Sequence, residues 1–512
     1  MIFPSNRQYL TNADFPHFEG KNITFGITGD CNLRCTYCYI HEKRLDREMS
    51  FETAKQIVDR MFEEPYAYLD DNFSEKNTAL EKTDPNRDIT KRVIFDFIGG
   101  EPFIRVELID KLSDYIKYKA ASDPRRYLFR FSFSTNGVTF LDDDVQDYLK
   151  KNKELVSVGI TIDGTRDMHD ACRIFPDGSG SYDQVINSIG IWQDDYNGLS
   201  TKVTIAPENL SRISDALFHL WQDVGIQHVP ANVVFEPVWK PEHEPVYEEE
   251  LIKIKDFLLR DRNYTRYCTT LFDETIGEPI DPEDIRNSCG GDGKMLFWDH
   301  TGTFYNCIRF APVSCLDGSG YSLGNLEDGY NMENYNRLKS MTRRTCSDDE
   351  CFNCEVASGC SYCPGQQYDE HGDFNIRSKS ICGMHKVRVK ISRQYFDGLK
   401  QHLSGEEPDF PEVIYMDEPK EVLDDLVDMI YEKNQLFTTL RGLDGSVYID
   451  IDTDTLTERY VELTKAIEMK ISTLRDKYLP AQQAHYFADF LRGYFVERNA
   501  QKRKAVRDSY RV

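Results

Sequence analysis

The chain has 512 residues, 40% of them hydrophobic, and a formal net charge of −25. This length exceeds one ordinary hydrophobic core and indicates two or three domains. The acidic balance argues against nucleic acid as a partner, because no surplus of Lys and Arg is available to displace phosphate counterions. No apolar stretch reaches the roughly 18 residues of a membrane-spanning helix, so no membrane association is expected.

The N-terminal segment has neither a basic leader with an apolar run nor a small-residue cleavage site. This predicts a cytoplasmic location. In that reducing compartment we expect the 14 cysteines to bind metal rather than to form disulfides.

Short β-branched or aromatic runs alternate with helical patterns in the first half of the chain. Such alternation predicts parallel strands joined by right-handed crossovers, an α/β fold that closes into a partial (β/α)6 barrel of the TIM type. We assign this barrel to residues 1–265, with an acidic insertion at about 63–90. The six predicted strands are Asn22–Thr28, Arg92–Ile98, Leu128–Ser134, Val156–Ile162, Lys202–Ala206 and Val229–Phe235.

The second half of the chain changes character twice. Between Cys289 and Cys382 helical patterns give way to turns and to nine of the 14 cysteines. We predict a separate cluster-binding domain over residues 266–386. Residues 387–512 are expected to be mainly helical, with no role that the sequence reveals.

The first cysteines follow the first strand directly, at the end of the barrel where catalytic residues gather. Cys31, Cys35 and Cys38 have the spacing C-x3-C-x2-C. Three thiolates can hold a four-iron cluster and leave one iron without a protein ligand. On spacing alone, a zinc site with a distant fourth ligand and buried unliganded thiols are the alternatives.

With Tyr37 before the last cysteine, this loop resembles the hallmark of the radical S-adenosylmethionine (SAM) superfamily. The resemblance implies that the open iron chelates the amino and carboxylate groups of SAM. One electron from the [4Fe-4S] cluster then yields a 5′-deoxyadenosyl radical that abstracts hydrogen.

Three further strand ends match that family in order. Taken singly, each is also typical of an ordinary turn or helix cap. The resemblance implies that they contact SAM, whose amino group would be received at the GGEP segment and whose ribose and carboxylate would be contacted by the others. The implied residues are Gly99, Gly100, Glu101 and Pro102 after the second strand, Ser134 and Asn136 after the third, and Asp163 and Arg173, with His169 and Asp170 between them, after the fourth. Thr204 closes the fifth strand at a position that also faces the cofactor in relatives.

The later cysteines resemble the SPASM domain, the auxiliary-cluster module of peptide and protein maturases. The resemblance implies one [4Fe-4S] cluster on Cys351, Cys354, Cys360 and Cys382, and a second on Cys289, Cys307 and Cys363. One spacing departs from the pattern, since two residues rather than three separate Cys360 from Cys363. A zinc ribbon is the alternative, because C-x2-C pairs also bind zinc.

The second auxiliary cluster lacks a predicted fourth ligand. Relatives with full ligation have another cysteine near the position of Met295, and this chain has none there. The fourth iron is therefore open to a substrate thiolate, or it is filled by Cys268, Cys315 or Cys346.

The resemblance implies an enzyme that abstracts hydrogen from a ribosomally synthesised precursor peptide and forms a crosslink. A thioether is favoured, with carbon–carbon and ether bonds as variants. A reductant such as flavodoxin or ferredoxin and a separate leader-peptide-binding protein are the implied partners.

Two other functions remain open. The related sulfatase-maturing enzymes convert cysteine or serine to formylglycine, but they have an aspartate after the cysteine equivalent to Cys307, where this chain has Ile308. The alternative of another class is an iron–sulfur scaffold or electron-transfer protein that does not use SAM.

Overall fold

The computed structural model describes residues 21–41, 43, 46–69, 91–123, 127–196, 198, 200–280 and 295–405, with 429, 432, 459, 461–467, 469 and 470. The chain divides into two compact units, Met1–Tyr395 and Phe396–Val512. Cys289, most of the predicted insertion and most of the predicted helical region lie outside the described residues. None of the described helices combines the length and apolarity needed to cross a membrane.

The first five strands of the first unit begin within one residue of the predicted positions, and the strands after residue 233 had no predicted counterpart. The strands are β1 (Lys21–Thr28), β2 (Lys91–Gly99), β3 (Tyr127–Thr135), β4 (Val156–Ile160), β5 (Val203–Ile205), β6 (His228–Val229), β7 (Ala231–Val233), β8 (Cys268–Thr269), β9 (Met295–Trp298), β10 (Thr303–Tyr305), β11 (Ser322–Asn325) and β12 (Gly329–Tyr330).

Helices separate the barrel strands as predicted. They are α1 (Phe51–Glu63), α2 (Pro65–Tyr68), α3 (Val106–Ser122), α4 (Asp143–Lys151), α5 (Arg166–Cys172), α6 (Tyr182–Tyr196), α7 (Ile213–Gln222), α8 (His243–Leu259), α9 (Met332–Lys339), α10 (Asp349–Phe352), α11 (Pro364–His371) and α12 (Cys382–Gly405). Helix α1 begins after Ser50, whose side chain accepts a hydrogen bond from Thr53 N, as expected for an N-cap.

Strands β1 to β4 form the parallel sheet that the strand–helix alternation predicts, and the α/β fold class is confirmed. The sheet continues on the other side of β1. There β9 pairs with β1 in parallel, and β10, β11 and β12 follow in antiparallel order. The sheet and the first compact unit thus both extend across residue 265, and the predicted domain boundaries stay predictions.

The predicted sixth strand is divided in two at Pro230. Proline has no N–H to donate to a sheet ladder. The two halves, β6 and β7, pair with different neighbours: β6 with β8, and β7 with β5. Sequence patterning alone predicted a single strand here.

The two faces of the barrel sheet differ sharply in chemistry. The face that packs under the helices is aromatic, with Phe97 5.3 Å from Phe133 and Phe133 5.7 Å from Tyr148 of α4. Alternating residues on the opposite, inner face are polar and include Asp96 and Ser132. This inner face forms the floor beneath the strand ends where the cysteine loop begins.

Candidate active site at the strand ends

The cysteine loop, Cys31–Cys38, is fixed by backbone hydrogen bonds to the segment around the end of α5. Arg34 N donates to Ile174 O over 2.7 Å, and Thr36 N donates to Cys172 O over 2.9 Å. The barrel therefore positions the three thiols, and Cys172 acts here through its backbone.

The two glycines of the GGEP segment are required because the backbone passes very close to this loop. A Cβ on Gly100 would lie 1.9 Å from the carbonyl oxygen of Asp30, and one on Gly99 would lie 2.3 Å from that of Thr28. Gly100 N donates to Thr28 O over 2.9 Å, and Pro102 then begins a short 3-10 helix. A close approach of this kind is one of the uses for which only glycine is suited.

Glu101 joins the ends of β2 and β3 through a buried carboxylate. Its Oε1 accepts from Thr135 Oγ1 over 2.7 Å and from Phe103 N over 3.2 Å, and its Oε2 accepts from Asn136 N over 2.8 Å. Burial raises the pKa of Glu101, although these donors oppose the shift. The carboxylate is held in one orientation by three donors.

Asn136 and Ser134 extend this polar rim from β3 toward the cysteines. Asn136 Nδ2 donates to Asn32 Oδ1 over 2.6 Å and lies 3.8 Å from Cys31 Sγ. Ser134 is exposed at the same strand end. The structure thus brings together the predicted residues of the first three strands.

Tyr37 reaches from the cysteine loop to a buried ion pair at the end of β4. Its hydroxyl donates to the Asp163 carboxylate and accepts from Arg173 Nη1 over 2.9 Å. Arg173 Nη1 and Asp163 Oδ2 are 4.0 Å apart. Burial raises the pKa of Asp163, and the Arg173 charge opposes this.

Two neighbouring segments hold Asp163 from behind. Thr204 N donates to Asp163 Oδ1 over 3.1 Å, which connects the fifth strand to the site. Asp163 N donates to His169 Nδ1 over 3.3 Å, and burial lowers the pKa of His169 to about 2, so that this ring is neutral. Asp170 instead accepts from Tyr182 N at the start of α6.

The loop thiols have the chemistry that an iron–sulfur cluster requires. Burial raises the pKa of Cys31, partly opposed by Lys43, and also that of Cys35, partly opposed by Arg173. Cys38 adds a third sulfur from the same loop, and such a donor set fits a cluster with one open iron. Within the described ranges, no group of three or more His, Cys, Asp or Glu side chains lies close enough together to hold a metal ion.

Three of the later cysteines lie near the Arg377 guanidinium, and Cys354 lies near one of them, Cys382. Arg377 donates to Cys360 Sγ over 3.2 Å and to Cys360 O over 3.1 Å. Loss of hydration raises the pKa of Cys382, and the nearby Cys360 and Cys354 thiols raise it further, while the Arg377 charge lowers it. Arg377 also lowers the pKa of Cys351, which burial raises. The four cysteines predicted for one auxiliary cluster thus lie in one region of the fold, and their role as ligands stays a prediction.

Two members of the predicted second set, Cys307 and Cys363, lie near Arg309 and Tyr39. The Arg309 guanidinium hydrogen-bonds the Cys363 thiol, donates to Glu236 Oε1 over 2.9 Å and lies 5.1 Å from the centre of the Tyr39 ring. Burial raises the pKa of the Tyr39 hydroxyl, and the Cys307 thiol is close enough to raise it further. Cys363 and Cys307 thus share one neighbourhood, and Cys289 lies outside the described residues.

The three candidates for the missing ligand have different surroundings. Cys315 is buried, with Asp369 and Arg309 among the charges that act on its thiol. Cys346 is buried with its thiol 3.6 Å from an oxygen of Asn375, whereas Cys268 is exposed. The identity of a fourth ligand stays a prediction, as do the individual roles assigned to the SAM-contacting residues.

Sequence patterning missed the charged residues that surround the cysteines. Arg309 and Arg377 contact thiols, and Asp96 lies on the inner face of β2. One signal was available for Asp96, because a carboxylate in the middle of an aromatic and aliphatic strand requires a polar partner. For the two arginines no local pattern in the sequence distinguishes them.

Comparison with known proteins finds similar sequences and similar solved structures. No family model matches the chain. A cysteine-type anaerobic sulfatase-maturating enzyme of Clostridium novyi is 26% identical over 48% of this chain and 57% of its own length. The radical SAM cyclopropyl synthase TigE of Paramaledivibacter caminithermalis is 22% identical over 72% of this chain and 73% of its own length.

The fold has a counterpart among solved structures. Native anSMEcpe with bound AdoMet and Cp18Cys peptide matches with a TM-score of 0.52 and 16% identity, over 74% of this chain and 99% of that one. The fold and the site define an α/β barrel enzyme with a cysteine-rich extension. The chain is thus similar in sequence to sulfatase-maturating and radical SAM enzymes, and it spans little more than half the length of the Clostridium novyi relative.

Proposed function

We propose that this protein is a radical SAM maturase that abstracts hydrogen from a cysteine-containing ribosomal peptide and forms a crosslink. The observation that carries the proposal is the joint arrangement at the strand ends. Three thiols, the buried Glu101 carboxylate and the Asp163–Arg173 pair meet at one end of the sheet, where parallel-barrel enzymes carry out their chemistry.

Each part of this site has a role in binding. Cys31, Cys35 and Cys38 would hold the [4Fe-4S] cluster, which supplies the electron that cleaves SAM. Glu101, already oriented by three donors, presents acceptor oxygens to the methionine ammonium group. The Arg173 guanidinium provides the complementary charge for the carboxylate.

The cysteine-rich part of the chain would exclude water from the site and take part in the steps that follow hydrogen abstraction. Cys307 and Cys363 flank Arg309 beside Tyr39, which follows the last loop cysteine. An auxiliary cluster held there would accept the electron that remains after bond formation. A flavodoxin or ferredoxin would reduce the first cluster, and a leader-binding protein would deliver the peptide.

Formylglycine formation is the second candidate, and the similarity to sulfatase-maturating enzymes favours it. Ile308 follows Cys307 in this chain and has no proton-accepting group. An enzyme that makes formylglycine here would need its base elsewhere in the site. This departure from the pattern of the sulfatase-maturating enzymes, which have an aspartate after the equivalent cysteine, is the reason for ranking peptide crosslinking first.

The test is anaerobic incubation with SAM, dithionite and one of two peptides. The first is a short cysteine-containing peptide to be sought among the genes that neighbour this one, and the second is a synthetic peptide around the cysteine that sulfatase-maturating enzymes modify. Crosslinking removes two hydrogens from the first peptide and blocks its thiol against alkylation, which mass spectrometry detects. A formylglycine product on the second peptide alone would replace the proposal with its rival.

A control separates chemistry from simple cluster binding. Cys172 is buried beside the loop and is not among the predicted ligands, so Cys172→Ala removes a thiol without removing a cluster ligand. We expect this variant to form 5′-deoxyadenosine at near the wild-type rate. Clusters without any deoxyadenosine in the wild-type protein would identify a scaffold or an electron carrier.

A further inference from the structure

A row of polar side chains crosses the inner face of the barrel sheet at one level. Thr24, Asp96, Ser132 and Ser157 are successive partners in the registers of β1, β2, β3 and β4. Thr24 Oγ1 lies 3.4 Å from Asp96 Oδ2, and Ser132 hydrogen-bonds the same carboxylate from the other side. Barrel interiors are ordinarily filled by branched apolar side chains, so a carboxylate in the middle of this row indicates a role other than packing.

The row borders open space rather than a packed core. Asp96 and Ser132 are half-buried and Ser157 is exposed, although their strand neighbours Phe95 and Phe97 on the other face are buried. From Asp96 to Ser157 the row is therefore accessible to solvent, whereas Thr24 at its other end is buried.

Tyr39 lies near Asp96 and near cysteines of both predicted cluster sites. Loss of hydration raises the pKa of the Tyr39 hydroxyl, and the Cys38 and Cys307 thiols and Asp96 are among the charges that raise it further. Arg309, which opposes them, stacks on the same ring. Tyr39 is thus within electrostatic range of both sets of thiols and of Asp96.

The proposed reaction must release a proton as well as an electron. The deoxyadenosyl radical takes a hydrogen atom from carbon, and the carbon radical bonds to the sulfur of the cysteine as the S–H bond breaks. One electron leaves to an auxiliary iron–sulfur cluster and one proton remains. Formylglycine formation by way of a thioaldehyde releases the same proton and electron, so either product needs a proton acceptor.

We propose that Asp96 is the proton acceptor for the substrate thiol, held in place by Thr24 and Ser132. This inference rests on the proposed function and adds to it the base that Ile308 cannot supply. The position suits the task because the carboxylate is partly exposed and no lysine or arginine neutralises it by a described hydrogen bond or ion pair.

The protonation behaviour of the carboxylate agrees with this role. Burial raises the pKa of Asp96 to about 6, and the hydrogen bonds from Ser132 and Thr24 limit the shift. A base with a pKa close to the working pH is ionised at pH 7.5 and still accepts a proton readily. Two other ionisable groups face Asp96. Tyr39 follows the cysteine loop directly, and Arg130 is the inner-face residue of β3 that precedes Ser132.

Three variants test the role in the reconstituted full-length enzyme with the two peptides named above. Asp96→Asn keeps the shape and removes the base. We expect it to retain cluster content and deoxyadenosine formation, while modified peptide per deoxyadenosine falls about 100-fold, the typical contribution of a general base. Product formation by the wild-type enzyme should decline as the pH falls through about 6.

The serine variants keep the experiment decisive if Asp96→Asn does not fold. Ser132→Ala removes a donor that stabilises the carboxylate, so the acidic limb of the product rate should move to higher pH. Ser157→Ala, in the same row but without that bond in the described contacts, should leave the limb in place.

The possible failures are distinguishable. A wild-type limb that is unchanged in Ser132→Ala, or full product yield in Asp96→Asn, overturns the role of Asp96 and leaves the proposed function standing. A wild-type enzyme that cleaves SAM but alters neither peptide overturns the proposed function itself.

Discussion

The two cysteine regions of this protein are built in opposite ways. The first loop carries its thiols on a short segment that backbone hydrogen bonds fasten to the barrel, and the GGEP glycines pack directly against it. The set around Arg377 sits among one-turn helices and turns, α10 and the start of α12 being the regular elements near it. The first region thus brings a preformed fold to its cluster, whereas the second has little core of its own.

This difference predicts different consequences of losing a ligand. A metal site with a preformed scaffold loses chemistry when a ligand is removed, while a site that organises its own surroundings loses folding free energy as well. Variants of one cysteine from each region separate the two cases.

The largest expected effect is that of Cys35→Ala on SAM cleavage. Without this thiolate the first cluster has two protein ligands, and we expect deoxyadenosine formation to fall by more than about 1,000-fold because reductive cleavage requires the cluster. The apparent melting temperature should change little, since the loop remains bonded through Arg34 and Thr36. Anaerobic quantification of deoxyadenosine and a thermal scan, with Cys172→Ala alongside, measure both.

Cys360→Ala should show the reverse pattern. Its thiol accepts from Arg377 and lies beside Cys382, so its loss removes one of the two described acceptors of Arg377 and a predicted cluster that would hold the turns together. We expect a clear drop in apparent melting temperature and faster proteolysis around residues 346–382, with iron content reduced. A variant as stable as wild type would show that this region folds without its cluster.

The sequence predicted the first region far better than the second, for a physical reason. The barrel strands alternate buried aromatic and inner-face residues, so the second strand, predicted at Arg92–Ile98, is found at Lys91–Gly99. The polar motifs are recognised by their short distance in sequence from each strand, and the predicted SAM-contacting residues lie at those strand ends. Local patterns contain this information because each motif lies within a few residues of its strand.

The parts that were not predicted depend on contacts between distant segments. The pairing of Met295–Trp298 with β1 joins residues more than 250 positions apart, and no local periodicity reveals it. The split at Pro230 was readable from the missing N–H, but not the choice of β5 and β8 as partners. The cationic neighbours of the thiols likewise come together only in the folded chain.

Tyr37→Phe is expected to have an intermediate effect within the first region. It removes the hydroxyl that connects the loop to Asp163 and Arg173. Leaving these buried groups short of one partner costs about 1–3 kcal/mol, and we expect this to appear as about a tenfold rise in the KM for SAM, with little change in cluster content. Tyr182→Phe is the matched control, because its hydroxyl bonds His219 away from the loop.

If the Tyr37 hydroxyl serves only to position the loop for SAM binding, Tyr37→Phe should raise the KM for SAM and leave kcat nearly unchanged. An equal fall in kcat with an unchanged KM would mean instead that the hydroxyl acts in the reaction. Either result sharpens the contrast with the auxiliary region, where no single hydroxyl connects the cysteines to the barrel in the described contacts.

The smallest expected effect is a gain in stability from Asp96→Asn. This variant tests whether the Asp96 carboxylate on the inner face lowers the free energy of unfolding. Because burial raises the pKa of Asp96 from 3.8 to about 6, the folded protein binds this proton more tightly than the unfolded chain. The stability that the protonated carboxyl contributes is therefore lost as the pH rises toward 6 and is absent above it. Asn has no charge to bury, so the variant should be more stable than wild type by about 1–3 kcal/mol at pH 7.5, and the advantage should shrink as the pH falls from 7 to 5.

Asp59→Asn provides a control of opposite sign in the same unit. Burial acts to raise the pKa of Asp59, but hydrogen bonds from Lys119, Tyr115 and Lys55 outweigh it and lower the pKa overall. Its ionised form therefore stabilises the fold above its unfolded pKa, and its Asn variant should be destabilised across pH 5–8. Anaerobic thermal scans of the two variants across that range decide the point: a destabilised Asp96→Asn at pH 7.5 would mean that the carboxylate is a structural bridge for Thr24 and Ser132 rather than a group retained for chemistry.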